Sequence, residues 1–102
     1  MSTINPYIIG TTILLSVSFK DAVTGALTDP STVVLKVLQG GAESIYVYNV
    51  DTEISKTSTG IYSANIELTS SGFAYYRWEA GGVNPNAIEN TVIVLPSNIV
   101  PG

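Results

Sequence analysis

Short alternating segments divided by turns run the length of this chain, and that grammar most narrows what it can fold into. The clearest stretch is Ser58-Thr59-Gly60-Ile61-Tyr62 through Leu68, then Ser70-Ser71-Gly72, then Phe73 through Glu79. Tyr62, Ala64, Ile66 and Leu68 share one face of an extended strand, and Ile61, Ser63, Asn65 and Glu67 share the other. Successive side chains on a strand point to opposite sides, so this is a half-buried β-segment. The turn is short enough to fold the next segment back as an antiparallel partner. There, Ala74, Tyr76 and Trp78 oppose Phe73, Tyr75, Arg77 and Glu79. Arg77 and Glu79 mark their face as wet. Tyr76 and Trp78 are therefore expected in the core, with Phe73 and Tyr75 partly exposed.

The same grammar recurs elsewhere. Thr11 to Phe19 places Ile13, Leu15, Val17 and Phe19 on one face, opposite Thr12, Leu14, Ser16 and Ser18. Thr32 to Leu38 does so with Val33, Leu35 and Val37. Gly40-Gly41 then turns the chain into Ser44 to Asn49, where either the Ile45 face or the Tyr46 and Tyr48 face can point inward. Ile88 to Leu95 is the last strand, and Pro96 and Pro101 discourage its continuation. Val50 to Thr59 reads as a polar loop anchored by Ile54. Ile4 to Ile9 reads as an arm or a short edge strand, because Pro6 cannot donate to a ladder. No window supports a helix of ordinary length, since β-branched residues, Gly and Pro interrupt each one. The expectation is an all-β, immunoglobulin-like antiparallel β-sandwich of about seven strands. Residues 1–9 form an arm or edge strand, 10–95 the sandwich and 96–102 an extended tail. Three longer loops, Asp21–Ser31, Val50–Thr59 and Gly81–Ala87, gather at one end, with the tight turns at the other.

A chain of 102 residues is the size of one domain. It contains no cysteine and no histidine. Disulfides, thiolate chemistry and the usual near-neutral general base are therefore absent. The formal charge is −4, and the four cations Lys20, Lys36, Lys56 and Arg77 are scattered. A basic footprint for nucleic acid is missing. No stretch has the apolar length of a membrane helix. Met1 to Pro6 lacks the basic and apolar regions of a signal peptide. No nucleic-acid partner and no membrane partner are expected.

Candidate chemistry is thin. Asp21, Asp29, Asp51 and Glu53 fall on the long-loop end, where oxygen ligands can hold calcium. They follow no regular ligand spacing, and acidic residues are ordinary turn formers. Serine has no histidine base and no Gly-x-Ser-x-Gly elbow. Gly40-Gly41 and Gly81-Gly82 lack the Lys-Ser/Thr and helix of a phosphate loop. The expectation is no enzyme, no catalytic residue, no metal and no cofactor. Aromatic residues left over from the core can serve a protein interface or a sugar-stacking shelf. The candidate interface is Tyr46, Tyr48, Phe73, Tyr75 and Arg77.

Ser58-x-Gly60-x-Tyr62-x-Ala64 resembles the tyrosine corner of immunoglobulin domains, with Tyr62 tying its hydroxyl to the preceding loop. More of the chain resembles small immunoglobulin-like proteins of tailed-bacteriophage virions. The shared text is Gly10-Thr11-Thr12-Ile13-Leu14-Leu15, then Phe19-Lys20-Asp21, Thr24-Gly25 and Thr28-Asp29-Pro30-Ser31-Thr32-Val33. Thr59-Gly60-Ile61-Tyr62, Gly72-Phe73-Ala74-Tyr75-Tyr76-Arg77-Trp78 and Glu89 complete it. The short Gly40-Gly41 turn departs from typical members. The resemblance implies a structural protein of the virion. Its roles include head decoration or cement, neck, and tail accessory, with major capsid or tail and neck subunits as partners and a possible homo-oligomer. It carries over no catalytic residue. The alternative is a carbohydrate- or receptor-binding module of a phage tail or fibre.

Overall fold

A computed structural model describes residues 6–82 and 85–97. Eight strands run in chain order: β1 (Tyr7–Ile8), β2 (Thr12–Ser18), β3 (Thr32–Gln39), β4 (Ala42–Val47), β5 (Ile54–Ser58), β6 (Ile61–Glu67), β7 (Gly72–Gly81) and β8 (Asn86–Leu95). They form a five-stranded sheet, β1-β8-β7-β3-β4, and a three-stranded sheet, β2-β6-β5. No helix occurs among the described residues. The fold is the expected all-β sandwich. In the immunoglobulin plan, strands B, E and D of one sheet face C, F and G of the other, with C′ added beside C in variable-type domains. The orders β2-β6-β5 and β4-β3-β7-β8 reproduce that plan. One position differs. β1 does not lie beside β2, where strand A would pair, but runs parallel to the end of β8, with Tyr7 opposite Val94 and Ile8 opposite Leu95.

The alternation of apolar residues builds the core. Ile13, Leu15, Val17 and Phe19 from the β2 segment are buried, as are Tyr62, Ala64, Ile66 and Leu68 from the β6 segment. Facing them are Val33, Leu35 and Val37 of β3, Ala74, Trp78 and Ala80 of β7, and Val92 and Val94 of β8. Tyr76 is only half-buried and packs at the core margin. Trp78 is fully enclosed, and its indole N–H has no partner among the described residues. An orphaned buried donor costs about 1–3 kcal/mol, which this side chain offsets by the area it fills.

Three expectations are corrected. Val50 to Thr59 is not all loop, because Ile54 to Ser58 forms β5 and pairs antiparallel with β6. This is an edge strand with only Ile54 buried, so it carries almost no alternation to read. It brings the strand count to eight. The second correction concerns Ser70-Ser71-Gly72. β6 pairs with β2 and β5, whereas β7 pairs with β3 and β8. The segment between them crosses from one sheet to the other and is no hairpin. Both strands have a face to bury, and opposite sheets let Tyr62, Ala64 and Ile66 face Ala74, Trp78 and Ala80 across one core. Gln39 of β3 clasps the crossing. Its Nε2 donates to the Glu67 carbonyl at 3.1 Å, and its Oε1 accepts from the Thr69 N–H at 3.0 Å. By contrast, Gly40-Gly41 does close the β3–β4 hairpin. Both glycines have positive φ, +56° and +80°, as a two-residue hairpin turn of matching twist requires.

The third correction concerns the tyrosine corner. Tyr62 stands on β6, the equivalent of strand E, whereas the corner tyrosine begins strand F. Its hydroxyl bonds to no nearby backbone group. It donates to the carboxylate of Asp29, 33 positions earlier, at 3.3 Å. Trp78 likewise stands on the F-equivalent strand, not on C as in antibody domains.

Candidate functional site

Strand register decides which side chains meet on the outer face of the five-stranded sheet. Leu38 lies opposite Tyr75, which lies opposite Thr91. Lys36 lies opposite Arg77, which lies opposite Glu89, and Ile45 flanks Lys36 on the other side. Val34 lies opposite Glu79, and Phe73 opposite Ile93. These residues occupy the positions that alternate with the buried ones, so all point outward. Phe73 is 61 % exposed, Ile45 52 % and Tyr75 43 %, with Leu38 and Leu95 also exposed. The Phe73 and Tyr75 rings stack at 6.5 Å with planes 28° apart. A shallow depression beside them is lined by Lys36, Leu38, Glu43, Tyr75, Arg77 and Glu89.

The charges on this face form a chain. Glu79 Oε2 accepts from Arg77 Nε at 2.6 Å and lies 3.3 Å from Lys36 Nζ, while Arg77 also reaches Glu89 at 3.4 Å. The Arg77 hydrogen bond, helped by Lys36, holds the Glu79 carboxyl below its ordinary value. The same bond raises Arg77 against the opposing effect of desolvation, with the Glu89 bond adding to it. Arg77 is thus held by two carboxylates, one on its own strand and one on β8.

The five sequence-derived interface residues divide. Phe73, Tyr75 and Arg77 do come together on this outer face. Tyr46 and Tyr48 do not join them. Tyr46 pairs across from Leu35 on the inner face, and both tyrosines are half-buried against the core. Tyr48 meets Tyr62 edge-on, with ring centroids 5.0 Å apart. The β4 alternation was open to either reading, and the wider aromatic side chains won the core margin while Ile45 faces outward. Ile45 and Leu38 were missed as face residues. The register of β3 against β4 and β7 is the signal that locates them, and it is not local.

Three of the long-loop carboxylates, Asp21, Asp29 and Asp51, are engaged with backbone or side-chain donors. Asp21 Oδ1 accepts from the Val23 and Thr24 N–H groups, a turn that Asp forms readily. Asp51 Oδ2 accepts from the Val47 N–H at 2.8 Å. Asp29 binds the Gly60 N–H and Lys56 Nζ, both at 2.7 Å, as well as Tyr62. Lys56 first and the Gly60 N–H second depress the Asp29 carboxyl. Lys56 is raised in turn by that bond. Burial and then Asp29 raise the Tyr62 phenol. No group of three or more Asp or Glu placed to hold a metal occurs among the described residues. Asp29 therefore acts as a clasp that ties the loop before β3 to β5 and β6.

Comparison with protein-family models, with curated proteins and with solved structures returned no match.

Proposed function

We propose that this chain is a non-enzymatic protein-docking module, and that it serves as a capsid decoration or cement subunit of a phage virion, bound to neighbouring coat proteins. The observation that carries the docking part is the outer face of the five-stranded sheet. It presents Leu38, Ile45, Phe73, Tyr75 and Leu95 as exposed apolar area beside a pre-ordered Lys36–Glu79–Arg77–Glu89 chain. Folding gives no reason to place Phe73 in water. Aromatic residues and arginine are the commonest anchors of protein interfaces. An apolar patch of this kind on a small domain marks an interaction site. The virion part rests on the sequence resemblance spanning Gly10 to Leu95.

The test is cryo-EM and mass spectrometry of particles produced by the genome that encodes this chain. The expected result is density for the sandwich on the shell, with the Phe73 face against coat subunits. Paired Phe73→Asp and Tyr75→Asp substitutions should lower its occupancy by about tenfold or more, the loss typical of anchor residues. Intact particles without this chain overturn the virion reading.

A second reading is favoured by one specific feature. The stacked Phe73 and Tyr75 rings, with Arg77 and Glu89 beside them, also form a shelf on which a sugar ring can lie, as in a tail- or fibre-borne carbohydrate-binding module. Glycan binding that is lost in Tyr75→Ala, together with absence from the capsid shell, selects this reading over the first.

A further inference from the structure

We propose that β2 pairs antiparallel with β2 of a second copy of this chain, joining two three-stranded sheets edge to edge. This inference is independent of the docking face on the other sheet. It starts from the place beside β2 that β1 leaves open by pairing with β8. At one end of the strand Phe19 donates its N–H to Gly60, and at the other Thr11 accepts from the Leu68 N–H. Both bonds are directed to the β6 side. In an antiparallel ladder, alternate residues bond to alternate sides. Ile13, Leu15 and Val17 therefore also bond towards β6, and Thr12, Leu14, Ser16 and Ser18 turn their N–H and C=O groups away from it. Among the described residues, no strand meets them there.

The other edges are blunted. β5 carries Lys56 and a register shift between Lys56 and Ser58. On β4, Asp51 takes the outward N–H of Val47. On β8, β1 covers Val94 and Leu95, and the Asn86 side chain takes the Ala87 N–H. Lysine, bulges and local caps are the usual defences of an edge strand. β2 has none of them, and no charged or proline residue lies between Thr12 and Ser18.

Its own sequence fits it best. Thr12-Ile13-Leu14-Leu15-Ser16-Val17-Ser18 is nearly palindromic in chemistry about Leu15. An antiparallel pair centred on Leu15 sets Thr12 against Ser18 of the second copy, a favourable hydroxyl pair. It sets Ile13 against Val17 and Leu15 against Leu15 on the core side. On the outer side Leu14 lies opposite Ser16 and diagonal to its own counterpart, within reach of a leucine side chain. Leu14 is 63 % exposed in the single chain, and the pairing covers it. The outward backbone groups of Thr12, Leu14, Ser16 and Ser18 all find partners in this register.

Light scattering after size exclusion, with amide hydrogen exchange on the full chain over a concentration series, tests the proposal. The expected result is a dimer that forms with rising concentration. Exchange at Leu14 and Ser16 should slow by roughly tenfold once nine-tenths of the chain is paired, while Leu15 and Val17, already bonded to β6, change little. Leu14→Lys puts like charges on the diagonal across the two-fold axis and should return the protein to a monomer with its melting temperature kept. Ser16→Pro removes an outward N–H that the single chain does not use and should do the same; if it fails to fold, Leu14→Lys carries the test. Three results each overturn the proposal: a monomer at every concentration with unprotected Leu14 and Ser16 amides, a dimer that persists in Leu14→Lys, and a dimer that leaves those amides unprotected.

Discussion

The two sheets bury similar inner faces and present opposite outer ones. Outside the three-stranded sheet lie Thr12, Leu14, Ser16, Ser18, Ser55, Ile61, Ser63, Asn65 and Glu67, mostly small or polar. Outside the five-stranded sheet lie Lys36, Leu38, Ile45, Phe73, Tyr75, Arg77, Glu79 and Glu89. Both sheets satisfy the same requirement for folding, since each contributes alternate residues to one core. The outer residues are free of that requirement. Where they are still large, aromatic and held by ion pairs, the proposed docking role accounts for them. On that proposal, the contrast separates scaffold from docking surface.

The comparison can be broken at several points. The largest expected effect is at the corner of the three-stranded sheet. Gly60 has φ +73°, and a Cβ there would lie 2.8 Å from the Phe19 carbonyl and 2.9 Å from the Thr28 N–H. Both are backbone atoms that cannot swing aside. Gly60→Ala should cost about 3 kcal/mol or more, the backbone strain adding to the clash, as read by urea denaturation. A cost below about 1 kcal/mol would mean this corner is not the rigid part of the scaffold.

Next comes pH. Asp29 and Glu79 both have carboxyl pKa values depressed in the folded chain. A depressed carboxylate contributes stability that is fully present above its unfolded pKa and is lost as pH falls through the folded one. The melting temperature should therefore hold steady at neutral pH and fall below about pH 4. Asp29→Asn should lower the neutral-pH value and flatten the acid limb. Glu79→Gln, on the outer face, should do both to a smaller degree, because exposed ion pairs contribute little, whereas Asp29 also accepts from the Gly60 N–H and the Tyr62 hydroxyl. An equal or larger effect from Glu79→Gln would make the outer charge chain part of the scaffold after all.

The smallest effects on stability belong to the two outer faces themselves. Phe73→Ser and Ser63→Ala should each change unfolding free energy by no more than about 0.5 kcal/mol. They should differ in partner binding alone, with only Phe73→Ser reducing retention on particles. Strong destabilisation by Phe73→Ser would assign the ring to packing and remove the contrast.

Much of the scaffold was legible because it follows local alternation. β2, β3, β6 and β8 bury the residues their period marks, and Trp78 goes where Arg77 and Glu79 send it. β5 was not legible, since a strand with one apolar anchor and Ser-Lys-Thr-Ser behind it looks like a loop until β6 offers a ladder. The Ser70–Gly72 turn misled for a related reason: a tight connection can close a hairpin or step between sheets, and only the other strands decide. The Asp29 clasp joins residues 27 to 33 positions apart, and Asp29-Pro30 carries an equally good local meaning as a turn. Of the proposed docking face, Phe73, Tyr75 and Arg77 were visible from one strand. Leu38 and Ile45 depended on the neighbouring strands that flank it.

The docking of β1 on β8 sets the timing of assembly during synthesis. Tyr7 and Ile8 are made well before their partners Val94 and Leu95. Until then the edge of β7 stands open, with Phe73 and Tyr75 on a strand that has β3 on one side only. Pairings between such distant segments form slowly, and a half-built sheet with an open edge is prone to stick to its neighbours. This sheet therefore spends its most vulnerable interval waiting for β8, and a ribosome that pauses before Leu95 prolongs it.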